Sequence, residues 1–163
     1  MIALAQIFAQ GQTTAQDYAL AQHESAKVAG VSSLNRPIGN IVTARGVLVD
    51  GSIASSYESM VDAAKKDGII LTGTGYRSTA IQIALREKNC GTTPYDIYEK
   101  PEKDCSPPTA IPGSSMHEKG LAVDFWFAST RQTPVYAWLA KHAAEFGFFN
   151  RDDESWHWST NGQ

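Results

Sequence analysis

A chain of 163 residues is long enough to bury one hydrophobic core, so a single principal domain is the expectation. With 14 Lys and Arg against 17 Asp and Glu its formal charge is −3, and no basic stripe offers itself to phosphates, which argues against nucleic acid as a partner. No apolar run approaches the roughly 20 residues that cross a bilayer, so no transmembrane segment is expected.

Residues 1–30 are rich in Ala and Gln without a clear apolar period, and the stretch VSSLNRPIGN that follows has the composition of a boundary. Residues 1–40 are therefore predicted to be a lead-in or linker and 41–163 the working domain. The opening MIALAQIFAQGQ lacks a basic start and is interrupted by Gln6 and Gln10, so it is not read as a signal peptide. Residues 41–50 read as β-structure, with Asp50-Gly51 as a turn after a strand. Residues 55–68 have the marks of a helix, with Met60, Val61 and Ala64 on one side, Lys65 and Lys66 near the end and Gly68 as a stop. Ile69–Leu71 reads as a short strand entering a Gly-rich turn, and 78–89 as a second helix capped by Ser78 or Thr79. Residues 121–127 are a strand by residue type, 133–148 a third helix with Pro at its start and Gly147 at its end, and 154–159 an aromatic-rich strand. Helices and strands without steady alternation predict an α+β fold.

Cys90 and Cys105 bracket GTTPYDIYEKPEKD, a Pro-rich polar stretch that reads as a loop. A disulfide closing it contributes about 3 kcal/mol by loop-entropy reasoning and places the protein outside a reducing cytosol. Two unrelated thiols are the alternative; the loop favours the disulfide.

Three segments carry chemistry. In SSMHEKGLAVDF, strand alternation gives Leu121, Val123 and Phe125 one apolar face and Ala122, Asp124 and Trp126 the other. An unpaired carboxylate there costs several kcal/mol to desolvate, so something must compensate Asp124. Gly120 permits a bend that brings His117 to the same side. The segment by itself fits a metal site and a hydrogen-bonded His–Asp pair equally well. In ESWHW, Trp156 and Trp158 alternate with His157, a possible third ligand, and Glu154 lies near enough to serve as a base without binding the metal. Alone it reads as an edge strand; with His117 and Asp124 it favours a catalytic zinc. In TGYRSTAIQ, Arg77 occupies a strand-to-helix turn from which it can clamp a carboxylate or polarised carbonyl, with Gln82 on the same side of the helix start. Taken alone, that stretch is an ordinary surface Arg and Gln.

Together SMHEKGLAVD, ESWHW and the upstream GYRS…Q resemble the VanY-type D-alanyl-D-alanine carboxypeptidases. These belong to a wider group of zinc peptidases with the D-Ala-D-Ala dipeptidases, the lysostaphin-like endopeptidases and the hedgehog domain. The resemblance covers roughly residues 55–160. It implies a small antiparallel sheet flanked by helices, with one catalytic Zn2+ on His117, Asp124 and His157. It further implies Glu154 as general base, Arg77 at the scissile bond, and Gln82 and Ser115 as hydrogen-bonding contacts to the peptide. The expected partner is a peptidoglycan stem peptide, met outside the cytosol by a monomer. An endopeptidase of the L-Ala-D-Glu type is the alternative within enzymes, and a zinc-holding cell-wall binding module the alternative outside them; Glu154 and Arg77 together argue against the latter. His142, within the third helix, reads as a packing or surface residue, and His23 falls in the lead-in.

Overall fold

The computed structural model describes residues 39–163; residues 1–38, expected as most of a lead-in and including His23, lie outside the described residues. Ile41–Ala44 (β1) and Val47–Asp50 (β2) form an antiparallel hairpin. Arg45 and Gly46 close it, both at positive φ, 46° and 84°, as a tight two-residue turn demands. Asp50-Gly51 is not the turn its composition suggests. The Asp50 carboxylate accepts from the Ser52 backbone N–H at 2.9 Å and hydroxyl at 2.6 Å, and helix Gly51–Lys66 (α1) starts at once. An Asp stabilises a turn or a helix start by the same act, accepting from a nearby backbone N–H, so the local sequence fits both. α1 buries Ile53, Tyr57, Met60 and Ala64 along one face.

The main sheet runs β3-β4-β6-β5 with every neighbour antiparallel. Its strands are Gly73–Thr74 (β3), Ala122–Phe125 (β4), Phe149–Arg151 (β5) and Glu154–Ser159 (β6). Pairing begins at Gly73 rather than at Ile69–Leu71, and β3 there lies so close to β4 that a Cβ on residue 73 would collide with the Asp124 carbonyl. Val123 and Phe125 point from β4 into a core shared with Tyr57, Met60, Leu139 and Phe148, which leaves Asp124 on the opposite face. The third helix is shorter than expected. Pro134–His142 (α4) gives way to a 3-10 turn at Ala143–Phe146, and Gly147 ends it at φ 79°. His142 lies at the end of α4 and pairs with Glu145 at 3.0 Å. No helix among the described residues is long and apolar enough to cross a membrane.

Ser78 caps Thr79–Asn89 (α2), as expected. The stretch between the cysteines, expected as plain loop, contains Pro94–Tyr98 (α3) under a Thr93–Asp96 capping box. Cys90 and Cys105 are joined in a disulfide. Inside this loop lies Arg86, fully buried. Its guanidinium donates to the backbone carbonyls of Asp96, Ile97, Lys100 and Thr109 at 2.5 to 3.0 Å. Four converging carbonyls offset the desolvation of the charge. They also fix the path of residues 96–109, which form one wall of the cleft described next.

Candidate metal centre and cleft

Antiparallel pairing sets Asp124 of β4 directly beside His157 of β6. His117 reaches them from the turn between residues 115 and 120. Gly120 has φ 71°, its carbonyl accepts from Asp50 N–H at 2.9 Å, and a Cβ there would strike Ile41 and Asp50. Only glycine combines that φ with that approach. The His117 carbonyl accepts from Arg77 N–H at 3.1 Å, which joins this turn to the turn that carries Arg77.

Three donor atoms converge. His117 Nε2 lies 3.2 Å from His157 Nδ1 and 3.1 Å from Asp124 Oδ1, and His157 Nδ1 lies 2.9 Å from Asp124 Oδ1. Tetrahedral zinc with bonds near 2.0 Å holds its ligands about 3.3 Å apart. The remote ring nitrogens are also committed. His117 Nδ1 is 2.7 Å from the Gly75 carbonyl and His157 Nε2 is 2.8 Å from the Gln163 carbonyl. Each must donate there, so each neutral ring turns its lone pair inward, toward the other ring and a carboxylate. Three electron-rich atoms at this spacing repel one another unless a cation or a proton sits among them. The site therefore fits a divalent ion with a preference for nitrogen and oxygen donors.

The charge states of Asp124 and His117 agree with that, and His157 shows where a proton would sit in place of the ion. Burial raises the Asp124 carboxyl, but the charges and hydrogen bonds of the two imidazoles outweigh it and hold the group well below the usual carboxylate range. Burial dominates at His117 and pushes it below the ordinary histidine value. At His157 burial is overcome by Asp124 and the Gln163 carbonyl, so this ring is lifted.

Glu154 and His157 are three residues apart, and in a regular strand they would face opposite ways. A bulge brings them together. β5–β6 pairing runs Phe149↔Ser159 and Asn150↔Trp158, then jumps to Arg151↔Glu154. The Asn150 amide spans the jump and donates to the carbonyls of both Glu154 and His157 at 2.9 Å. Glu154 Oε2 thereby lies 3.9 Å from His157 Nδ1, and burial raises its carboxyl above the usual value. The same bulge separates the two tryptophans, which alternation had placed on one side. Trp158 is in the core, whereas Trp156 is 41% exposed and lines the cleft.

Asn150 had no signal in the sequence, since its role is defined by carbonyls four and seven residues away. Asn150→Ala leaves two bulge carbonyls without their donor, at about 1–3 kcal/mol for a buried group. The expected result is a melting temperature lower by several degrees, read by thermal unfolding, with turnover reduced at least tenfold in the variant that remains folded.

Arg77 lies on the cleft wall. Its Nη1 donates to Gln82 Oε1 at 3.0 Å and its Nη2 is 3.7 Å from Asp124 Oδ2, while Nε has no hydrogen-bond partner among the described residues. Gln82, expected as a peptide contact, is fully buried, and its Nε2 donates to the Ala110 carbonyl at 2.7 Å. Ser115 is 7% exposed, lines the cleft, and accepts from His117 N–H at 3.3 Å. The cleft itself is a cavity of about 220 Å³ between the 107–110 segment and the face of β4 and β6, with Arg77, Glu154 and the three donors in its wall.

The sequence model of a family described as VanY, D-alanyl-D-alanine carboxypeptidase, matches residues 46–163. A D-alanyl-D-alanine carboxypeptidase of Enterococcus faecalis is 29% identical over 129 residues, 69% of this chain and 48% of that protein. The chain spans about half the length of the curated relatives it matches. Among solved structures, VanYB in complex with D-alanine-D-alanine superposes with a TM-score of 0.56 at 26% identity, covering 76% of this chain and 81% of that one. A vancomycin resistance D,D-pentapeptidase VanY in complex with Zn(II) shares the fold, with a TM-score of 0.56 at 24% identity over 76% of this chain and 79% of that one.

Proposed function

The chain belongs to the VanY family of D-alanyl-D-alanine carboxypeptidases, and from that premise we propose that it is a zinc peptidase removing the terminal D-alanine from peptidoglycan stem peptides. Residues 41–163 would form the peptidase domain and residues 1–40 its lead-in, acting as a monomer outside the cytosol. The Cys90–Cys105 disulfide supports that location, since reducing compartments do not sustain such bonds. The observation that carries the reading is the convergence of His117, Asp124 and His157 with Glu154 and Arg77 in one cleft.

His117, Asp124 and His157 would hold a zinc ion, which would supply Lewis-acid polarisation and a water acidic enough to attack near neutral pH. Glu154 accepts the proton of the attacking water on a carboxylate oxygen and returns it to the leaving amine. Its raised carboxyl suits both acts, because an acid poised nearer neutrality gives its proton up as readily as it takes one. Arg77 faces the carbonyl oxygen on which negative charge builds, and a fixed cation there acts more on the transition state than on the planar amide. Gln82 reaches the substrate through Arg77, whose guanidinium it orients. The Ser115 hydroxyl, beside His117, is left to meet the peptide backbone.

Mass spectrometry of muropeptide digests tests this. The expected product of a pentapeptide stem is the tetrapeptide plus free alanine, abolished by a chelator and restored by added zinc. Cuts inside the stem would replace the carboxypeptidase by an endopeptidase, and zinc binding without any cut would leave a binding module.

A further inference from the structure

An ion pair joins the two walls of the cleft. Glu102, in the short turn just before Cys105, meets Arg151 at the end of β5, with Oε1 2.6 Å from Nη2. The two residues come from opposite walls, the disulfide-closed loop and the β5–β6 hairpin. On one side of the pair lies the cavity with Arg77 and Glu154. On the other lies a second cavity of about 470 Å³, walled by Ser114, Met116, Asp152 and Gln163. Glu102, Ala110, Ser115, Arg151 and His157 belong to the walls of both, and of these only Glu102 and Arg151 join opposite walls by an ion pair, so the pair stands between two parts of one groove beside the three donors.

Both ends of this bar are anchored. The Lys100 carbonyl is held by Arg86 and Cys105 by the disulfide, so the Glu102 backbone is fixed on either side. Arg151 Nε also bonds Asp153 Oδ1 at 2.7 Å, and Arg151 pairs across the hairpin with Glu154. Arg151 is thus the direct ladder partner of the proposed base. A peptidase that cuts within a chain needs a groove open on both sides of the scissile bond, whereas one that releases a terminal residue needs only a short pocket beyond it.

We propose that the Glu102–Arg151 ion pair is the element that restricts this cleft to peptide ends. The inference rests on the peptidase reading above and deepens it by assigning a source for its end-specificity. A lone surface pair contributes little stability; a pair that blocks a path acts through its position instead.

The experiment compares two synthetic stem peptides with the zinc-loaded protein, one ending in a free D-Ala-D-Ala and one continued past that point by further residues. The readout is the ratio of kcat/KM for the extended peptide to that for the free-ended one, a quantity in which general losses of activity cancel. Glu102→Ala and Arg151→Ala are each expected to raise the ratio at least tenfold. The double variant is expected to raise it no further, because opening a bar at either end opens it fully. Glu102→Gln, which keeps the size of the side chain, serves where the alanine variant folds poorly and should raise the ratio less. A ratio unmoved by these changes, or additive effects of the two alanines, overturns the proposal. Wild-type protein that cuts both peptides at similar rates overturns the bar while the peptidase reading stands. Wild-type protein that cuts neither overturns both.

Discussion

Glu154→Gln is expected to fold, to bind zinc as the wild type does, and to lose about 10²–10⁴-fold in kcat, the usual contribution of general acid–base catalysis. The substitution is nearly isosteric and removes only the capacity to take and return a proton. Because Glu154 stands outside the triangle of donors, 3.9 Å from His157 Nδ1, its loss should leave the ion in place. Zinc content and near-UV circular dichroism would establish that the site is intact, and single-turnover cleavage of a D-Ala-D-Ala peptide would measure the chemical step. A variant with undiminished turnover would remove Glu154 from the mechanism and assign the base to another group. Loss of zinc together with activity would make Glu154 a ligand, against the separation observed.

The sequence made some of this legible for a physical reason. An aspartate in an apolar strand must be compensated, and a glycine before it allows a histidine to turn back, so Asp124 and His117 identify one another. Strand alternation then placed Val123 and Phe125 in the core correctly, because period two is a local property of the chain. Alternation failed at Glu154 and Trp156. The bulge that brings Glu154 round beside His157 depends on β5, a three-residue strand of Phe149, Asn150 and Arg151 that has little strand character of its own. Asp50-Gly51 failed for the opposite reason: the local chemistry serves a turn and a cap alike, and only the packing of α1 on the core decides between them. The loop between the cysteines was underread because Arg86 holds it by backbone carbonyls, and a carbonyl carries no residue identity for a sequence to display.

His117→Ala is expected to abolish high-affinity zinc binding, with metal content of the purified protein falling from about one ion per chain to near none. The imidazole supplies one corner of the triangle, and Glu154, the nearby carboxylate outside it, stands 3.9 Å from His157 Nδ1 rather than at that corner. Glu118 is fully buried and its Oε2 accepts from the Gly113 N–H at 2.7 Å, while Arg77, also close, is a cation. Two donors in place of three leave Asp124 and His157 2.9 Å apart, a pair that a proton on His157 Nδ1 satisfies without metal. A structural loss accompanies this, since a 3% exposed ring disappears and the Gly75 carbonyl loses its donor. Metal content alone therefore does not separate a lost ligand from a damaged turn. The change in melting temperature on adding zinc does. An ion that binds only the folded chain stabilises it by RT ln(1 + [L]/Kd), about 4 kcal/mol at a thousandfold excess over Kd, and the wild type should show that shift in full. The variant, even if less stable when metal-free, should melt at the same temperature with and without zinc. A zinc-dependent shift of wild-type size in His117→Ala would mean that the ion is held elsewhere, and the triangle of His117, Asp124 and His157 would then be a hydrogen-bonded cluster and nothing more.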